Sequence, residues 1–331
     1  MSHPYLYILS FILLLSACAG GEEQAGEVVD PAPPEEVVAV SFSSTIDLTT
    51  KATGEGATNQ LVEGALVNVH VYKQADTTAP SGSPFVTCRY KVGSGGNMEP
   101  VDLDNTMYLP VGSYAFFALA INVKEQEPPA LVGSTSCTGE LKNGLDYIYC
   151  AVHSTLHSSP EAPQNVSLSF VRLATRIDLK IDCGSGSNKA TAAEAPTFAL
   201  PLTSPTGTKI SLGATPVITA GMQVENENTQ VKSTGLVSEG FTASYIQLPL
   251  AGNQEIPVTI TFPSITFGDL VQTNKVYTLA IPNTGAGLTS GNQYDYKVNI
   301  SGNEISFRGV TVKAWEEKDG SFPEGGITEE F

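Results

Sequence analysis

Along much of the chain, apolar and polar residues alternate in short runs. Val67, Val69 and Val71 alternate with Asn68, His70 and Tyr72, and Val86, Cys88, Tyr90 and Val92 alternate with Thr87, Arg89 and Lys91. A period of two sends one set of side chains to a core and the other to water, so each run predicts a half-buried β-strand. Residues 107–117 predict a turn at Pro110-Val111-Gly112 with an aromatic strand leaving it. Residues 146–152 predict another strand, and Val37-Val38-Ala39-Val40-Ser41-Phe42-Ser43 an earlier one. Residues 158–164 (Ser-Ser-Pro-Glu-Ala-Pro-Gln) have the composition of a linker. Beyond them, 166–170 and 177–181 read as one long interrupted strand, and the Gly/Ser/Ala-rich stretch 183–195 as a loop. Further strands are expected at 241–248, 256–262, 275–281, 294–300, 304–307 and 309–315. Short strands separated by Pro, Gly and Asn predict an all-β protein of the β-sandwich kind. We place two domains at 37–160 and 161–331, the second ending in an acidic tail; no strict internal repeat is present.

Composition narrows the function. The 331 residues carry 34 Asp+Glu against 17 Lys+Arg, a net charge of −17, which argues against a nucleic-acid partner. Residues 5–15 form an apolar run too short to span a bilayer as a helix, followed by Leu15-Ser16-Ala17-Cys18. That is a lipoprotein signal pattern, with cleavage between Ala17 and Cys18 and lipid on the Cys18 thiol. No later stretch is long and apolar enough to span a membrane as a helix, so the lipid is the anchor the sequence offers. Residues 18–36, acidic and proline-containing, read as an extended tether.

Four further cysteines stand at 88, 137, 150 and 183, and four cysteines permit three pairings. Cys137 and Cys150 flank a hairpin-like stretch and are the candidate disulfide. Cys88 and Cys183 lie on apolar faces and read as buried thiols.

A search for catalytic chemistry finds no nucleophile elbow, no zinc-protease pair and no phosphate-binding loop, so the expectation is a protein that is not an enzyme and carries no cofactor or metal. His153 and His157 are four apart, but their flanks are strand or loop, which reads as surface histidine. Trp315, the sole tryptophan, reads as a core or edge plug rather than a ligand platform.

Three stretches resemble the fimbrillin family of Bacteroides-type bacteria, whose members build type V pili. They are residues 40–52 (Val-Ser-Phe-Ser-Ser-Thr-Ile-Asp-Leu-Thr-Thr-Lys-Ala), residues 168–179 (Leu-Ser-Phe-Val-Arg-Leu-Ala-Thr-Arg-Ile-Asp-Leu), and Gly291-Asn-Gln-Tyr-Asp-Tyr296 leading to Val310-Thr-Val-Lys-Ala-Trp315. The family's frequent Trp-x-x-Gly-Asp segment is missing after Lys51-Ala52, so shaft, tip and anchor roles all stay open. The resemblance implies two tandem transthyretin-like β-sandwiches and export to the outer membrane as a surface lipoprotein. It also implies a trypsin-like protease cutting between Lys51 and Ala52, which removes the strand at 37–48. Other pilus subunits would be the partners, each lending a strand to the groove so opened. Lys51 is the first Lys or Arg in the chain. Losing residues 18–51 removes seven acidic residues and one lysine and moves the net charge from −17 to −11. The competing reading is a surface lipoprotein that never polymerises and binds a glycan or host protein, with Tyr147, Tyr149, Tyr294 and Tyr296 as candidate ligand-facing aromatics.

Overall fold

The computed structural model describes residues 36–46, 60–102, 106–158, 162–184, 186–204, 206–219, 224–252, 255–282 and 287–315. The regular structure is almost wholly β. Eight strands make up the first half: β1 (Val37–Ile46), β2 (Ala65–Tyr72), β3 (Val86–Val92), β4 (Asn97–Pro100), β5 (Met107–Pro110), β6 (Gly112–Lys124), β7 (Tyr147–Leu156) and β8 (Gln164–Arg172).

These eight form one sheet in the order β4-β3-β2-β6-β7-β8-β1-β5, and β4 also pairs with β1. Seven strands therefore close on themselves into a barrel-like sheet, with β5 beside the start of β1. A two-layer sandwich is the sequence expectation for this half. The difference arises because β1 is paired along both edges and joins the two ends of the sheet, which no local pattern encodes. The interior is filled by the inward rows of the strands, among them Val67, Val69, Phe116, Ala118, Val166, Leu168 and Phe170. β6 is buried on its outer face as well, where Phe117, Leu119 and Ile121 pack under Leu141, Ile210 and Leu212. Its residues 115–121 are accordingly a continuous apolar run, as expected of a strand covered on both sides.

The second half holds β9 (Thr175–Asp182), β10 (Ala190–Ala193), β11 (Thr197–Thr203), β12 (Lys209–Ser211), β13 (Val217–Thr219), β14 (Val224–Lys232) and β15 (Thr234–Leu236). It continues with β16 (Gly240–Gln247), β17 (Leu250–Ala251), β18 (Ile256–Phe267), β19 (Leu270–Ile281), β20 (Gly287–Leu288), β21 (Asn292–Ser301) and β22 (Glu304–Ala314). One sheet runs β15-β16-β9-β21-β22; the other runs β10-β18-β11-β14, with β19 paired to β18. Their facing rows share one core, Leu179 and Ile181 of β9 and Val298 of β21 meeting Val258, Ile260 and Phe262 of β18. This half is a β-sandwich. The strands expected at 304–307 and 309–315 are a single strand, β22, whose pairing with β21 shifts register next to Gly309, at φ 150°.

The chain passes from the first sheet to the second at Leu173–Ala174, between β8 and β9. The Pro-containing stretch 158–164, expected as an interdomain linker, joins β7 to β8, two antiparallel neighbours in one sheet. Residues 166–170 and 177–181 are thus two strands in two sheets. No helix among the described residues is long and apolar enough to cross a membrane.

Candidate assembly groove

β1 is rich in β-branched residues, and its side chains alternate strictly between inside and outside. Val38, Val40, Phe42, Ser44 and Ile46 point inward and are each at most 3% exposed. On one edge β1 runs parallel to β8, from Val40 opposite Gln164 to Ile46 opposite Phe170. On the other it is antiparallel to β5, from Val37 opposite Pro110 to Val40 opposite Met107, and then to β4, with Phe42 opposite Met98.

Inside the barrel the Phe42 ring stands edge-on to Tyr90 (centroids 5.0 Å apart) and to Phe116 (5.7 Å). Edge-to-face contacts of this kind add about 0.5–1.5 kcal/mol each to plain burial. The Ser44 hydroxyl donates 2.9 Å to the carbonyl of Gly96. Gly96 sits at φ +81°, and a Cβ there would lie 2.4 Å from the Ser44 carbonyl oxygen, so only glycine lets the 94–96 turn come this close. Burial of the four apolar inward side chains is worth on the order of 10 kcal/mol by the usual 1.5–3 kcal/mol per residue. Withdrawing β1 would uncover a continuous apolar groove flanked by unpaired backbone on β8, β5 and β4.

The sequence-predicted site residues divide into two groups. Ala17, Cys18, Lys51 and Ala52 lie outside the described residues, as do residues 47–48 of the strand expected to be removed. Cys137 and Cys150 are described and are not joined: all four cysteines from 88 onward are free thiols. Cys150 points into the barrel core, where burial pushes its pKa up to about 12. Cys137 lies in the 125–146 connection with its sulfur 3.3 Å from the Ser211 hydroxyl. The disulfide expectation is corrected accordingly. The hairpin pattern between them does not exist, since residues 136–141 bond instead to residues 208–212 of the second half.

Cys88 and Cys183 are buried. His153 is exposed on β7 and His157 is exposed just beyond it. Among the described residues no group of three or more His, Cys, Asp or Glu side chains could hold a metal. Tyr147, Tyr149, Tyr294 and Tyr296 are all buried. The Tyr149 hydroxyl donates to the Gly213 carbonyl (2.6 Å) and accepts from the Gly213 amide (2.9 Å), fixing the cover over β6 and β7. None of these tyrosines presents an aromatic face to a ligand.

Sequence reasoning did not find the Ser44–Gly96 contact. The one visible signal was a serine at an inward position of an otherwise apolar row.

A fimbrillin-like family model matches residues 50–315, four-fifths of the chain. The chain belongs to the fimbrillin-like family. None of the curated proteins matches it in sequence. Among solved structures it is similar to a candidate cell adhesion protein from Bacteroides ovatus, at 15% identity and TM-score 0.55, covering 87% of this chain and 100% of that one. A candidate cell adhesion protein from Bacteroides uniformis aligns at 15% identity and TM-score 0.51, covering 84% of this chain and 99% of that one. At such identity these likenesses concern the fold of this fimbrillin-like chain. The family match starts at residue 50, after the end of β1.

Proposed function

We propose that this fimbrillin-like chain is a structural subunit of a bacterial surface pilus that assembles by strand replacement. It is exported with the 1–17 signal and held at the outer membrane by lipid on Cys18. A trypsin-like protease then cuts between Lys51 and Ala52, and the segment that includes β1 leaves. The observation that carries this reading is the place of β1: it closes the barrel, is paired on both edges, and precedes the first basic residue of the chain. While β1 is seated, the apolar row and the backbone of β8 are satisfied and the subunit is inert. Once it leaves, water meets both, and a strand from a neighbouring subunit restores the lost burial and pairing. Two tandem transthyretin-like domains are the domain reading that goes with this.

The test is to treat the purified full-length protein with trypsin at limiting ratio and follow it on gels and by electron microscopy. The expected result is loss of the segment up to Lys51 followed by a ladder of multimers and fibres. Clean removal of that segment with the protein still monomeric at high concentration overturns the assembly step and favours a surface lipoprotein that binds a glycan or host protein.

A further inference from the structure

We infer that the groove beneath β1 is selective, and that Phe42 and Ser44 mark the two positions at which it reads an incoming strand. The inference rests on the strand-replacement reading above and names the chemistry of the partner strand.

Alternation alone leaves a strand's register underdetermined. A slip of one residue turns every apolar side chain to the wrong face, so it is excluded wherever one face is buried. A slip of two residues keeps the apolar face inward and is opposed only by the identity of each side chain. In β1 the first inward residues are Val38 and Val40, which are interchangeable under such a slip. The next two are not. Phe42 fills the space between Tyr90 and Phe116, and Ser44 donates to the carbonyl of buried Gly96. Moving the strand by two residues either way places the phenyl ring against the 94–96 turn or against the site of Val40, and takes the hydroxyl away from Gly96.

Direction is fixed as well, because β1 is parallel to β8 and antiparallel to β4 and β5. The partner that fits is therefore a strand of another polypeptide running parallel to β8. It carries two aliphatic residues, then an aromatic residue, then a Ser or Thr, then an aliphatic residue, at alternate positions. A strand that is apolar throughout fills the groove but leaves the Gly96 carbonyl buried without its donor. Subunits whose strands lack the aromatic–hydroxyl pair are poor neighbours, so the groove sorts the order of subunits in a fibre as well as joining them.

The experiment uses the full chain with a specific protease site introduced in residues 47–59, cut after folding so that β1 stays in place as a noncovalent strand. Fluorescent peptides are then exchanged against it: residues 36–47 unaltered, with Phe42→Ala, with Ser44→Ala, and with Val38→Ile. The substitutions are in the peptides, so the fold of the acceptor is the same in every arm. The unaltered peptide is expected to exchange in. Phe42→Ala is expected to weaken binding by about 100-fold or more, the usual consequence of emptying an aromatic site. Ser44→Ala is expected to weaken it by about tenfold, as for a buried hydrogen bond lost. Val38→Ile is expected to stay within about threefold. Binding of Phe42→Ala and Ser44→Ala within threefold of the unaltered peptide overturns the selectivity while leaving strand replacement standing. Failure of every peptide to exchange, the unaltered one included, overturns strand replacement and the selectivity with it.

Discussion

The guanidinium of Arg172 stacks on the ring of Trp315, 4.6 Å from its centroid, and donates to the Trp315 carbonyl over 3.1 Å. Arg172 ends β8 in the first sheet, and Trp315 follows β22 in the second. The same guanidinium donates through Nε to the carboxylate of Asp146 over 3.0 Å, and Asp146 is wholly buried. Burial raises the Asp146 pKa, and the charge and hydrogen bond of Arg172 oppose that shift. Asn122 of β6 holds the same carboxylate oxygen at 3.3 Å. The amide of Trp315 donates to the Gly291 carbonyl, and the amide of Gly291 to the Ala174 carbonyl. One ion pair thus ties β6, β8 and the end of β22 together at the junction of the two sheet systems.

Arg172→Met leaves a buried carboxylate without its counter-charge, which costs about 3–5 kcal/mol. Urea unfolding at neutral pH should show a loss of that size. Trp315 is the sole tryptophan, so its emission should shift to the red in the native state of the variant. An unchanged midpoint and unchanged emission would contradict the role given to this pair.

Much of the fold was legible because alternation is a local signal. β2, β3, β16 and β21 fall where Val67–Val71-type rows predict them, and the chain is all-β as those rows imply. What could not be read is non-local. β1 meets β8 across 124 residues, as with Val40 and Gln164, and nothing in 37–46 states which strand will receive it. The same limit hid the closure of the first sheet. Composition does not separate a connection within one sheet from an interdomain linker, so 158–164, between β7 and β8, reads as the latter. At the candidate groove, the strand and its apolar row were visible in sequence. The partner of Ser44 was not, because a glycine 52 residues away supplies it.

The groove makes its own stability prediction. In the uncut chain Phe42→Ala should cost about 3–5 kcal/mol, since it empties a buried aromatic site. Val37→Ala, on the same strand but 55% exposed, should stay within about 0.5 kcal/mol. Chemical denaturation of the two variants side by side checks this, and equal losses would contradict the packing of β1 described above.

His70 gives a pH dependence. It is buried on the outer face of β2, its Nδ1 2.9 Å from the Thr87 hydroxyl, and burial lowers its pKa to about 4. The folded state therefore resists a proton that the unfolded chain accepts near pH 6.5. Its contribution to stability is complete above about pH 6.5 and is lost as pH falls toward 4. Between pH 7 and pH 4.5 the loss from this residue should be about 2–3 kcal/mol. His70→Gln should flatten that part of the curve relative to the unaltered protein. Parallel curves for the two proteins would contradict it.

The thiols should be ranked by burial. Under native conditions iodoacetamide should reach Cys137, which is half-buried, and spare Cys88, Cys150 and Cys183 until the chain is unfolded. Burial holds Cys150 up to about 12 and Cys183 up to about 11, so both stay protonated at neutral pH. Peptide mapping by mass spectrometry checks this, and a linked Cys137–Cys150 peptide would contradict the free thiols described here.

The proposed assembly turns on the departure of β1, and the N-terminal residue of the subunit within assembled surface fibres tests that most directly. Mass spectrometry of fibres sheared from cells that express this chain should find subunits beginning at Ala52, with residues 18–51 absent. Fibres built from subunits that still begin at a lipidated Cys18 and retain β1 would contradict it.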